Sequence, residues 1–140
     1  MPETLVVDCS VAAKWALQEP GRNEALRLLD EQEAGNILLI APDLLLTEFA
    51  GLIAKRTRRK QIPAAQGYQA FRLMEESEMR LFETRPLLGR ALDLAINGQM
   101  SLWDCVYLAL AIEHDCQLIT ADQRLFRVGR GRHPAISLLA

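Results

Sequence analysis

Leu5-Val6-Val7-Asp8-Cys9-Ser10 decides how the rest of the chain is read. Leu5 to Val7 is short, apolar and rich in β-branched residues, with no helical period. It reads as a strand buried on both faces. The apolar run then stops at an acid. Ser10 is placed to cap a helix from Val11 to about Gln18 by accepting a backbone N–H.

Outward from this unit the same alternation repeats. Pro20-Gly21 breaks the chain. Arg22 to Ala34 places Ala25, Leu28 and Leu29 on one helical face, and Gly35-Asn36 ends that helix. Ile37 to Ala41 is a second buried strand, stopped by Pro42. Asp43 to about Lys60 reads as a long helix, and Pro63 precedes another that runs to about Met79. Arg80 to Thr84 is expected as a third strand. Pro86 and Asn97-Gly98 bracket a further helix. Ser101 to about Asp115 is the next helix, Gln117 to Thr120 a fourth strand, and Ala135 to Leu139 a fifth. Gly129-Arg130-Gly131-Arg132 between them reads as a flexible basic loop. Strands alternating with helices predict a parallel sheet covered on both faces, with the site outside the carboxyl ends of the strands.

The 140 residues fit one domain, residues 1–140, with a sizeable core. Half are hydrophobic and 24% charged, which excludes a disordered chain. A net charge of −2 excludes a globally basic nucleic-acid binder but not a local basic patch. No apolar stretch approaches the ~20 residues of a membrane helix. The start, Met1-Pro2-Glu3-Thr4, lacks the pattern of a signal peptide. Cys9, Cys105 and Cys116 form no CxxC pair and fit a reducing cytoplasm. His114 and His133 are too few and too scattered for a structural zinc site.

Four acids sit against apolar segments: Asp8, Glu48, Asp104 and Asp122. An ionised carboxylate there loses hydration and needs a partner. Each has an ordinary explanation. Asp8 with Ser10 could simply begin a helix. Glu48 could pair with Lys55. Asp104, three residues after Ser101, resembles the last member of a capping box. Asp122 is the most easily explained, as an N-cap. Jointly they are harder to dismiss, because all four are expected at one end of the sheet. Crowded carboxylates raise one another's pKa, and a divalent cation reverses that. Carboxylate oxygens with few histidines point to Mg²⁺ or Mn²⁺ rather than zinc. Such an ion acidifies water and stabilises charge on a phosphoryl group, so the reaction class is phosphodiester hydrolysis.

Val6-Val7-Asp8-Cys9-Ser10, Thr47-Glu48-Phe49, Leu102-Trp103-Asp104-Cys105-Val106-Tyr107-Leu108-Ala109 and Thr120-Ala121-Asp122-Gln123-Arg124-Leu125 form an ordered set over nearly the whole chain. In that order they resemble the PIN-domain ribonucleases, and most closely the VapC-type toxins of toxin–antitoxin pairs. The resemblance implies a three-layer α/β/α fold with a five-stranded parallel sheet in the order 3-2-1-4-5. It implies an Mg²⁺- or Mn²⁺-dependent RNA-cleaving site, a cognate antitoxin and a homodimer. Carried over, Asp8 and Asp104 correspond to principal metal ligands and Glu48 to a ligand or water-positioning residue. Asp122 corresponds to the fourth acid, and Ser10 and Thr120 to supporting or phosphate-contacting hydroxyls. Trp103 departs from the smaller residues common at its position.

Other features have competing explanations. Lys55, Arg56, Arg58, Arg59 and Lys60 form a basic run that suits a helix C-terminus or an RNA-contacting patch. Arg124, Arg130 and Arg132 lie nearer Asp122 in sequence and are the preferred RNA contacts. Trp15, Leu17, Leu45, Phe49 and Leu52 belong either to the core or to an antitoxin groove. Cys9 and Cys105 read as small packing residues. A non-cutting PIN-fold RNA-binding or RNA-processing protein is the alternative function. A receiver-like signalling module would need a phosphoacceptor Asp after the third strand, where Glu83-Thr84-Arg85-Pro86 offers none. A DxDx phosphotransferase would need an acid at Ser10.

Overall fold

The computed structural model describes residues 2–140. Five strands form one parallel sheet: β1 (Glu3–Val7), β2 (Ile37–Pro42), β3 (Arg80–Phe82), β4 (Gln117–Thr120) and β5 (Ile136–Leu138). Their spatial order is β3-β2-β1-β4-β5, as the resemblance implies. It differs from the 2-1-3-4-5 order of flavodoxin-like sheets, so a receiver module is excluded by topology as well. Successive strand residues face opposite sides, and Val6 and Val7 are both fully buried, so both faces of β1 are covered.

Seven α-helices supply that cover: α1 (Cys9–Ala16), α2 (Arg22–Glu33), α3 (Leu44–Arg58), α4 (Ala64–Glu75), α5 (Leu88–Ile96), α6 (Leu102–Glu113) and α7 (Gln123–Gly129). Helix α1 packs on α2, α3 and β4, while α6 lies along β1, β2 and β4 and carries α5. Seven consecutive residues of α6, Cys105 to Ala111, are buried, so this helix is enclosed all round. Leu17, Leu45 and Phe49 are core, whereas Trp15 and Leu52 are half-buried at the core's edge.

Several sequence expectations change. Ser10 does not cap the first helix. Asp8 does, in extended backbone, with its carboxylate accepting from Val11 N–H, and the helix starts two residues earlier than expected. The third strand ends at Phe82 because Thr84 is drawn to Asp43. Asp43 Oδ1 accepts from Thr84 N (3.0 Å) and Oγ1 (2.6 Å), turning the chain into a 3₁₀ segment, Arg85–Leu87. Helix α4 stops at Glu75 rather than near Met79. Gly129 closes α7 instead of opening a loop. A Cβ there would stand 2.6 Å from Ile136 Cδ1 and 2.9 Å from Met100 Sδ, so only glycine lets α7 seat against β5.

Candidate active site

Register sets the first acid. Val7 is level with Ile119 across β1 and β4, so the next step brings Asp8 beside Thr120. Asp8 is 5% exposed. Its Oδ1 accepts from Ser10 Oγ at 2.5 Å and Val11 N at 3.3 Å, and its Oδ2 from Thr120 Oγ1 at 2.5 Å. Ser10 Oγ in turn accepts from Ala121 N (2.9 Å), and Thr120 Oγ1 from Asp122 N (3.0 Å). A hydroxyl has one proton, so both hydroxyl protons are committed to Asp8, while each oxygen also accepts one backbone N–H from the β4–α7 turn. These donors favour the charged form. Burial outweighs them, and with Asp104's charge adding to it the Asp8 carboxyl is pushed up to about 6.

Helices α3 and α6 bring the next two acids together. Glu48 lies one turn along α3 from Leu44 and Leu45, and is half-buried. Its Oε1 accepts from the Tyr107 hydroxyl. Tyr107 is one turn after Asp104, on the same face of α6. Burial first and the Glu48 carboxylate second push the Tyr107 phenol far above its usual range, so it remains a donor. Asp104 sits in the first turn of α6, where Ser101 caps the helix by accepting from Asp104 N at 3.2 Å. Ser101's half of the expected capping box is therefore present, while no return bond from Ser101 N–H to the Asp104 carboxylate forms among the described residues. Burial raises the pKa of both Glu48 and Asp104. Asp104's charge adds to the shifts of Glu48 and Asp8, so Asp104 couples to both.

Asp122 is different. It is exposed and caps α7 through Oδ1, which accepts from Arg124 N (2.9 Å) and Leu125 N (3.1 Å). Its charge still raises the Asp104 pKa, while Arg124 lowers it, so both stand near Asp104. Arg130 instead stacks on Phe126, 5.1 Å from the ring centre. Arg132 donates to the Asn97 carbonyl at the end of α5. Of the three arginines expected to meet RNA, only Arg124 is electrostatically tied to an acid. Neither histidine is tied to one: His114 packs edge-on to Phe82, and the pKa of His133 is lowered by burial and by Arg132.

An open groove of about 470 Å³ runs beside this cluster. Helix α1 lines it with Cys9, Ser10 and Lys14, and α3 with Glu48, Lys55 and Arg56. Two members of the basic run thus reach the site, ahead of Arg130 and Arg132. Tyr107 is the contributor that sequence reasoning missed; its spacing of three from Asp104 on one helix was the available signal.

The donor set fits a hard divalent cation. Its atoms are carboxylate and hydroxyl oxygens. The two thiols nearby are held protonated, Cys9 pushed up to about 12 and Cys105 to about 11, burial being the main cause in each, so neither offers a thiolate. Oxygen donors suit Mg²⁺ or Mn²⁺ rather than Zn²⁺. Among the described residues, no three His, Cys, Asp or Glu side chains are gathered tightly enough to cage an ion. Mg²⁺ does not require that, since it is commonly bound through one or two carboxylates and keeps several waters. Asp8 accepts one hydrogen bond at Oδ2 and Glu48 accepts at Oε1, which leaves each carboxylate acceptor capacity for an ion or its waters.

Comparison with known proteins bears on the fold and the family. The family model described as PIN domain matches residues 5–131. A VapC ribonuclease of Mycobacterium bovis, Mb0985, is 28% identical over 130 residues, covering 93% of this chain and 94% of the relative. Among solved structures, PAE2754 of Pyrobaculum aerophilum superposes with a TM-score of 0.70 at 17% identity, covering 99% of this chain and 92% of that one. A toxin–antitoxin complex from Klebsiella pneumoniae matches with a TM-score of 0.62 at 16% identity, covering 95% of each chain.

Proposed function

The chain belongs to the PIN-domain family, and from that premise we propose that it is an Mg²⁺- or Mn²⁺-dependent endoribonuclease, the toxin of a VapC-type toxin–antitoxin pair. The observation that carries the proposal is Asp8: an acid buried at the end of a central strand, surrounded by donors and electrostatically coupled to Asp104. A buried carboxylate held among donors that favour its charge is arranged to be ionised when a cation arrives.

Asp8 and Asp104 would hold the cation, with Glu48 and Asp122 at its margin. Bound there, the cation supplies Lewis-acid charge to phosphoryl oxygens and acidifies water. The protein's own groups do the rest. Ser10 and Thr120 lock the Asp8 carboxylate in one orientation through their single protons. Tyr107 anchors Glu48 through Oε1, so Oε2 can accept from water and orient it. Asp122 rigidifies the start of α7 and adds negative charge near Asp104. Arg124, on the first turn of α7, offsets that charge and is placed to meet a phosphate.

The same reading includes a protein antitoxin, a dimer of this chain and a cytoplasmic setting. Support for the partners comes from the surface: α5 exposes Leu88, Leu92 and Ile96 at four-residue spacing, with Trp103 57% exposed nearby. No helix is long and apolar enough to cross a membrane among the described residues.

The test is cleavage of single-stranded RNA by the purified chain with Mg²⁺ or Mn²⁺, against chelator, in wild type and Asp8→Asn. Cleavage that needs both the ion and Asp8 supports the assignment. RNA cleavage that survives chelation or the substitution rejects it.

A further inference from the structure

Among the described residues only two ion pairs form, and both use Glu19 at the groove beside the acids. Its Oε2 lies 2.6 Å from Arg56 Nη2 and its Oε1 3.5 Å from Lys14 Nζ. Chains with 18 acids and 16 bases have many ways to pair on the surface; here the pairing converges in the groove that Glu48 and Ser10 also line. The groove is lined by Ser10 and Lys14 of α1 and by Glu48, Lys55 and Arg56 of α3, and Glu19 pairs with one cation from each helix.

The loop carrying Glu19 is braced. Pro20 follows it, Gly21 takes the left-handed φ of 86° that glycine tolerates, and Lys14 Nζ donates to the Pro20 carbonyl at 2.7 Å. The Arg22 guanidinium donates to the carbonyls of Lys14 (3.2 Å) and Trp15 (3.3 Å), tying the end of α1 to the start of α2. The backbone is held, so movement of the Glu19 side chain alone frees Arg56 and removes the carboxylate from Lys14, whose ammonium stays positioned by the Pro20 carbonyl.

We propose that Lys14 and Arg56 form a phosphate subsite for the RNA backbone next to the acid cluster, and that Glu19 occupies it in the free protein and is displaced by an RNA phosphate. Guanidinium and ammonium groups bind carboxylate and phosphate oxygens by the same charge-assisted hydrogen bonds, so one anion can replace the other. The exchange tunes affinity: each phosphate has to compete with Glu19 before it gains the two cations. Both Lys14 and Arg56 retain exposure at the groove, with side chains 15% and 30% accessible, so a backbone phosphate can reach them. This inference deepens the ribonuclease reading and rests on it for the identity of the ligand.

The test is binding of a fluorescein-labelled single-stranded RNA of mixed sequence to the full chain, in chelator so that no strand is cut, across a salt series. Glu19→Gln is expected to tighten binding about 3- to 10-fold at low salt and to steepen the plot of log affinity against log salt by about 0.7 for each additional phosphate neutralised. With Mg²⁺ or Mn²⁺ restored, the same variant should lower KM and leave kcat unchanged. In an Arg56→Gln, Lys14→Gln background the gain should vanish. Thermal unfolding of each variant distinguishes lost binding from lost fold. Unchanged or weaker RNA binding by a folded Glu19→Gln chain overturns the subsite, as does a gain that persists without both cations. If the gain appears but no variant cuts RNA with either metal, the subsite stands and the ribonuclease assignment falls.

Discussion

The β1–α1 and β4–α7 junctions are built alike and behave differently. Each is a strand of a parallel pair followed by an aspartate that caps the next helix. Asp122 meets solvent and spends Oδ1 on two helix amides. Asp8 is enclosed, bonded by two hydroxyls and one amide, and pushed up to about 6 by burial. The difference arises from neighbours rather than from local sequence. Both strands have a neighbour on each side and α6 against them, but the turn after β1 is closed over by Ser10 and Thr120, whereas Asp122 in the turn after β4 is exposed. A cap motif therefore yields an acid with a raised pKa only where the tertiary surroundings withhold water from it.

The largest expected contrast is in RNA cleavage. Asp8→Asn should lower the rate by ~10³-fold or more, about 4 kcal/mol of transition-state stabilisation, while Asp122→Asn, which can still cap, should lower it by about tenfold or less. Equal losses in a gel-based cleavage assay would erase the distinction between the two junctions.

The next contrast is in stability against pH. Asp8 ionises near its ordinary 3.8 in the unfolded chain and near 6 in the folded one, so between these values the folded state holds the extra proton. Its stabilising contribution is complete below pH 3.8 and is lost as pH rises through 6, up to about 3 kcal/mol if nothing relaxes. Chemical denaturation should show wild type losing stability from pH 4 to 7 relative to Asp8→Asn. A flat difference between the two over that range would contradict the buried acid. In thermal unfolding at pH 8, Mg²⁺ or Mn²⁺ should raise the wild-type melting temperature and leave Asp8→Asn unmoved, since a ligand stabilises only the state that binds it.

Thr120→Val isolates the link between the junctions. It removes the donor to Asp8 Oδ2 and the acceptor for Asp122 N, at an expected cost of about 1–3 kcal/mol, and should shift the Asp8 titration above 6. An unchanged midpoint by NMR would show that the hydroxyl does not tune the acid. Smallest of all, Asp122→Ala should cost about 1 kcal/mol through the lost cap, measured by thermal unfolding, whatever its effect on cleavage.

Much of this was legible in the residues. The apolar, β-branched run Leu5–Val7 predicts a strand covered on both faces, and the alternation that follows predicts a parallel sheet with its acids at one end. Ser101 with Asp104 was readable as a cap, and the cap is there. Ser10 was misread because a serine directly before the apolar turn Val11-Ala12-Ala13 is a plausible cap, while its hydroxyl is in fact drawn to an acid two residues back. The basic loop at Gly129 was misread because the contacts with Ile136 and Met100 that require glycine are tertiary.

By itself the sequence determined the elements, their order and the identity of the four acids, because periodicity and caps act over a few residues. Only the tertiary structure decided which acids are buried and which feel one another's charge. It set Asp8 against Thr120 across 112 positions, joined Tyr107 to Glu48, and left Asp122 at the surface. Burial and charge–charge coupling depend on what surrounds a group in space, and that is the one property a linear pattern does not carry.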